Sequence, residues 1–325
     1  MSPAGARAPR PRALEVLAPG PSTTVQDLGR PGLAHLGVGA SGTADRGAHR
    51  LAQRLVGNPE GAAGLEVVLG GLRVRARGAL LVAAAGAPAG LRVDGRAAAT
   101  RCPVVVPDGA VLELAAPPTG VRTVLAVRGG IQVPAVLGSR STDVLAGLGP
   151  AAVAAGDVLP VGVPDEAGCT APVVDLAPPV RPDRGGPAVL RAVPGPREDW
   201  FAPGTLQALA RTPWTAGRDG DRVGLRLAGE PLVRSRPGEL PSEGVVRGSL
   251  QVPPSGLPTL LLADHPVTGG YPVVAVVVDA DVDRAAQLRP GDAVRFVLLP
   301  PPATSPPGPD PRAGAAGTAP PTLAR

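Results

Sequence analysis

Asp27, Arg30, Asp45, Asn58 and Glu66 lie within residues 23–71, where polar side chains alternate with Gly and Pro turns. Carboxylates beside an arginine and an amide can hold and activate a small polar substrate, provided that turns against a core fix them. In Asp27-Leu28-Gly29-Arg30-Pro31-Gly32 both glycines can supply positive φ, and Pro31 forces Arg30 toward an extended shape. Such a turn lets Asp27 and Arg30 meet. Glu66 interrupts the apolar run Leu65–Leu69, so it is either a solvent-face residue or a buried functional one.

Three further clusters have the same character. Gly138-Ser139-Arg140-Ser141-Thr142-Asp143 follows the run TVLAVRGG. It reads either as an anion or carboxylate site with Arg140 as a bidentate donor, or as a turn capped by Ser141 or Asp143. Residues 239–256 contain Ser242-Glu243-Gly244 and Gln251. Asp264-His265-Pro266-Val267-Thr268-Gly269-Gly270-Tyr271-Pro272 separates two apolar runs and is richer than a hairpin loop needs. Its paired glycines let the backbone approach a ligand and offer N–H groups.

Other chemistries find no motif. The chain has no lysine, so a GxxxxGK[ST] phosphate loop is ruled out, and no GxGxxG opens a helix after a strand. His35, His49 and His265 lack metal-ligand spacing and no HExxH occurs, so no metal is expected. No GxSxG elbow supports a Ser-His-Asp triad. His49 is expected to be a surface or packing residue, and His35 and His265 to lie in polar loops.

The elements that must position these residues follow from periodicity. Asp45 or Thr43 caps a helix predicted over 45–57, with Ala48, Leu51, Ala52, Leu55 and Val56 on one face. Gly57-Asn58 and Pro59 end it. Between residues 65 and 133 seven short runs (LEVVL, LRVRA, ALLVAA, LRVDG, CPVVV, AVLEL, TVLAV) recur about every ten residues, which predicts a β-barrel or sandwich. After a linker-like stretch, 164–187, a second β-rich unit offers runs at 188–193, 223–229, 258–264, 271–280 and 293–299, with a short helix near 205–210. The phrases AAGDVLPV and LRPGDAVRFV close the two halves alike. The expected organisation is a tail (1–13), an N-terminal half (14–163), the linker, a C-terminal half (188–299) and a tail (300–325), both tails being disordered.

Gly 45 and Pro 43 punctuate a chain that is 44% hydrophobic but only 2% aromatic, so its core must be aliphatic. Residues 1–13 hold three arginines and no acid; residues 300–325 hold two arginines and one aspartate. Four of the five net positive charges are thus in the tails, and no basic stripe for nucleic acid is expected. Cys102 and Cys169 form neither a disulfide framework nor a CxxC motif, and residues 1–12 lack an apolar signal core, which fits a cytoplasmic protein. The uncharged run Ala79–Leu91 is too short to span a membrane.

The motifs TTVQDLGRPG, RLVGNPEGAAGLEVVLGG, VLGSRSTD, SEGVVRGSLQVPPSG and TGGYP, in that order over residues 14–299, resemble the KipA-like family. This is also the allophanate hydrolase subunit 2-like family, which includes the C subunits of 5-oxoprolinases and is similar to half of the urea carboxylase carboxyltransferase region. The resemblance implies a mainly β fold of cyclophilin-like β-barrel subdomains with a few short helices. It implies one of three roles. The first is the C subunit of an ATP-dependent 5-oxoprolinase acting with a KipI-like B subunit and a LamB/YcsF-like A subunit, ATP being bound at the level of the complex. The second is a biotin-dependent carboxyltransferase, which, without a lysine here, needs biotin on a separate carrier. The third is a regulator that binds a kinase-inhibitor protein. Val267 and Val223 depart from the Thr and Met usual in the family. For an amide substrate, Gly269, Gly270 and Arg140 or Arg222 are the expected donors, and Asp27, Glu66, Glu243 or Asp264 the expected proton handlers. Arg30 is a further catalytic candidate. Asp45, Asn58, Ser141, Asp143, Ser242, Gln251, Thr268 and Tyr271 are expected to line the substrate site.

Overall fold

A computed structural model describes residues 11–171, 176–177 and 186–300. The disorder expected for 1–10 and 301–325, and most of the expected linker (172–175 and 178–185), fall outside the described residues.

The first part of the chain forms two antiparallel sheets. One has six strands in the order Val158–Pro160, Ala13–Pro19, Leu72–Arg77, Val111–Leu114, Leu91–Val93, Arg96–Ala98. The other has five, Ser22–Gln26, Gly64–Val68, Arg122–Val127, Leu80–Gly86 and Val104–Val106. All seven runs predicted between 65 and 133 are strands, and LRVDG opens a hairpin whose turn residues Asp94 and Gly95 both have positive φ. The strands at Ala13 and Ser22 carry weaker signals, which spacing alone does not assign. The sheets face each other across an aliphatic core that includes Leu14, Leu65, Leu72, Val82, Leu112 and Leu125. Leu72–Arg77 alternates buried apolar with exposed arginine, the pattern of a sheet with one wet face.

The second part is a closed barrel of seven strands: Ala188–Pro194, Val273–Val277, Ser249–Gln251, Thr259–Leu261, Gly224–Ala228, Trp214–Ala216 and Ala293–Leu298. Trp214 and Phe296 fill it among Leu and Val side chains, and the Trp214 indole N–H donates to the Leu209 carbonyl at 2.9 Å. The short strands Glu243–Gly244 and Thr268–Gly269 pair outside the barrel. The Gly-Asp turns that close the halves are built alike. Asp157 accepts from Ala154 N–H and Asp292 from Arg289 N–H, each at 2.8 Å, and Gly156 and Gly291 have φ of 92° and 90°.

Helix α1 (Arg46–Leu55) is slightly shorter than predicted, with Asp45 as the cap accepting from Ala48 N–H at 2.8 Å. It lies on the second sheet through Ala48, Ala52, Leu55 and Val56. His49 is fully buried, one of the two roles expected of it. Helix α2 (Thr205–Arg211) matches the short helix expected near 205–210. Helix α3 (Asp279–Ala285) has no counterpart among the predicted elements. The run 271–280 reads as one strand, but the strand stops at Val277 and Asp279 begins the helix. Five valines in YPVVAVVVDA mask the helix start, whose first-turn acids, Asp279 and Asp281, are its only local signal.

Helix α3 docks the barrel onto the first part. Asp283 accepts from the Arg46 and Gly47 N–H groups at 3.0 and 2.9 Å, so it caps α1 from the other half. The Gln287 side chain accepts from Val121 and Arg122 N–H and donates to Asp45 at 2.6 Å. Among the described residues, no helix is long and apolar enough to cross a membrane.

Candidate active site

Glu66 lies mid-strand between Thr24 and Val124 of its neighbours and is buried. Arg222 and Asp264 flank paired barrel strands, and Asp264 N–H donates to the Arg222 carbonyl at 2.9 Å. The three side chains meet where the halves join. Arg222 donates Nε and Nη2 to Asp264 at 2.8 and 3.0 Å, Nη1 to Glu66, and Nη2 also to the Gly42 carbonyl at 2.6 Å. Thr43 Oγ and Ala44 N–H complete the shell of Glu66 at 3.0 and 2.7 Å; Arg122 stands 3.5 Å away. Burial alone would push the Glu66 carboxyl up, but Arg222, Arg122 and these two donors hold it below the usual carboxylate range. Ser41 Oγ and Val144 N–H donate to Asp264 at 2.6 and 3.0 Å. The ion cluster thus grips loop 41–44 and loop 139–144.

Asp27 organises the same two loops from the other side. Its carboxylate accepts from Ser139 Oγ and Ser141 Oγ at 2.6 Å each, Gly29 N–H at 2.8 Å and Arg140 N–H at 2.7 Å. Gly29 and Gly42, both with positive φ, pack against each other: a Cβ on Gly42 would lie 2.8 Å from the Gly29 nitrogen. Arg30 is buried, donates to the Ser141 carbonyl at 2.5 Å and stands 3.8 Å from Asp143. Asp143 caps its own turn through Leu145 and Ala146 N–H.

The remaining candidates separate into three places. Asn58 is buried scaffold, bonded to Gln53, the Val127 carbonyl, Gly129 N–H and the Cys169 thiol. The Arg140 guanidinium turns away to the Val133 carbonyl and Gln132. Asp45 sits at the edge of a cavity of about 1020 Å³ between α1 and α3, lined also by Arg101, Asp283, Gln287 and Arg289. Burial pushes the Asp45 carboxyl up to about 6 against the hydrogen bonds from Gln287 and Ala48. Of the sequence candidates only Asp45 lines this cavity, so cavity size and candidate chemistry point to different places; the convergence of polar groups favours the loops.

The face above the ion cluster is formed by 264–271 and 242–244. Glu243 lies opposite Gly269 in the short ladder and is clasped by Arg197 through both carboxylate oxygens. Ser242, Thr268 and Tyr271 are exposed, and Gln251 donates to the Tyr271 carbonyl at 3.1 Å. Gly270 follows with its N–H outside the ladder. The arrangement is a rigid charged base beneath an exposed polar loop that can offer donors to a carbonyl. Ser41, Thr43 and Arg122 belong to the base but are not among the sequence candidates. Each sits beside a recognised motif, yet only the fold places it against Glu66 or Asp264.

A two-part β structure with a closed barrel and this loop constellation defines a carboxyltransferase-type domain. The model of the carboxyltransferase domain, subdomain A and B, matches residues 36–298, and the chain belongs to that family. It is 37% identical over 287 residues to the 5-oxoprolinase C subunit of Escherichia coli K12, covering 87% of this chain and 90% of that protein. The corresponding C subunit of Haemophilus influenzae is 34% identical, with 84% and 87% covered. The structure resembles that of Kluyveromyces lactis urea amidolyase with a TM-score of 0.82 at 30% identity, over 89% of this chain. There the chain spans only 19% of the longer protein.

Proposed function

We propose that this protein is the C subunit of an ATP-dependent 5-oxoprolinase. It acts with a KipI-like B subunit and a LamB/YcsF-like A subunit to open 5-oxo-L-proline to L-glutamate. The observation that carries this reading is similarity: the chain is 37% identical to the E. coli C subunit over 287 residues, against 30% to the Saccharomyces cerevisiae urea amidolyase. The geometry supports amide chemistry. The partly exposed 268–271 loop can supply backbone donors to a lactam carbonyl, and the Glu66–Arg222–Asp264 cluster anchors the loop at Asp264. ATP enters at the level of the complex.

A second reading is carboxyl transfer to an amide nitrogen from carboxybiotin on a separate carrier, favoured by the family match and by the urea amidolyase fold. The test is reconstitution. Purified A-type and B-type partners, ATP and 5-oxoproline should form glutamate only when this chain is added. Turnover indifferent to the chain would refute the subunit reading. Carboxylation of urea with a biotin carboxylase and carrier, without oxoprolinase activity, would select the second.

A further inference from the structure

His265 belongs to none of the assignments above, yet its geometry is specific. It follows Asp264, whose carboxylate is fixed by Arg222, Ser41 and Val144 N–H, so its backbone is anchored at one end. Its Nδ1 lies 2.7 Å from the Pro266 carbonyl. A carbonyl oxygen only accepts, so Nδ1 carries the proton and Nε2 keeps its lone pair. No protein donor satisfies Nε2 among the described residues. The ring is half-buried in the loop that carries Thr268, Gly269 and Gly270.

The charged groups facing it are Arg46 from the start of α1, Arg247 from the barrel turn and Asp264 on its own loop. Burial first, and then the two arginines, favour the neutral ring over the charged one, with the hydrogen bond to the Pro266 carbonyl and Asp264 opposing. Both arginines are held by Asp279, and Arg247 also by Asp283, so these cations are fixed. The carboxylates expected to handle protons are instead consumed by ion pairs and by hydroxyl and N–H donors.

We propose that Nε2 of His265 is the proton acceptor of this site, acting on a water that adds to the amide carbonyl of the substrate. The inference rests on the amide-opening reading above. The water O–H gives its proton to Nε2 as its oxygen bonds to the carbonyl carbon. The C–N bond then breaks, and the proton on Nε2 passes to the departing nitrogen. One water is consumed, the acid and amine formed end as a carboxylate and an ammonium ion, His265 ends neutral, and ATP hydrolysis at the level of the complex drives the opening.

The test is H265N in the reconstituted complex, because Asn Nδ2 reproduces the donor to Pro266 but has no Nε2. The expected result is a fall in kcat of about 100-fold or more, in the range of general-base catalysis, with KM within about threefold and the acidic limb of the pH–rate profile abolished. A fall smaller than about tenfold, or an unchanged acidic limb, overturns the proposal. Should H265N not fold, 15N NMR of the parent chain decides: a proton on Nε2 rather than Nδ1 at about pH 8 overturns it, and Nδ1–H supports it. If leaving out the whole chain does not change turnover, the subunit reading falls and this proposal with it. If the chain is required and H265N is fully active, the proposal alone falls.

Discussion

Replacing Arg222 by Met removes one guanidinium that neutralises two buried carboxylates and binds the Gly42 carbonyl. Met keeps the apolar stem but leaves Glu66 and Asp264 uncompensated, with only Arg122, 3.5 Å from Glu66, as a remaining cation. Breaking a buried pair by deleting one partner costs about 3–5 kcal/mol. At roughly 2–4 °C per kcal/mol for parts of this size, the melting temperature should fall by about 6–20 °C at about pH 7.5. The sign of the pH dependence is fixed by Glu66. In the parent its folded pKa is depressed, so its contribution is present above the unfolded pKa and lost as pH falls through the folded one. In R222M that depression disappears, because burial now dominates and favours the neutral acid. The deficit relative to the parent must therefore shrink as pH is lowered from about 7.5 to about 5. Melting followed by circular dichroism at both values checks this. A variant melting within about 2 °C of the parent at the higher pH, or a deficit that widens at the lower, refutes the assignment of the cluster as a charge-balanced latch. E66Q/R222M/D264N should recover part of the loss, since replacing all the charges costs less than stranding two of them.

Three further outcomes follow from the same contacts. Asp45, raised to about 6, contributes stability that is lost as pH rises through that value, so unfolding free energy should improve in D45N relative to the parent by about 1 kcal/mol between about pH 5 and 7.5, read by urea titration. D27A strands Ser139 and Ser141 and the Gly29 and Arg140 N–H groups; at about 1–3 kcal/mol per unsatisfied buried group, loop 136–148 should become the first site of limited proteolysis. A Cβ on Gly269 would collide with the amide of Gln251, so G269A should cost the complex about tenfold in turnover and Q251A should restore part of it, a coupling seen in a double-mutant cycle.

Local signals in the sequence determined much of this molecule. Apolar runs bounded by turns marked seven strands of the first part and most of the barrel, and Asp45 and Gly57 marked the ends of α1. Polar residues crowded between those runs marked the loops that converge. What the sequence could not determine was what each polar side chain does there. Glu66, Arg222 and Asp264 were legible as candidates, but their mutual contact spans 156 residues between Glu66 and Arg222. Ser41 and Asp264 are 223 apart. Spacing along a chain carries no record of such pairings, because strand order and barrel closure set them. The same limit applies to Asp27: a turn acid in sequence becomes, once loop 139–141 folds over it, a saturated anchor. Which groups end as fixed base and which stay partly exposed, as His265 and Gly270 do, was decided by the docking of α3 and the barrel onto the first two sheets.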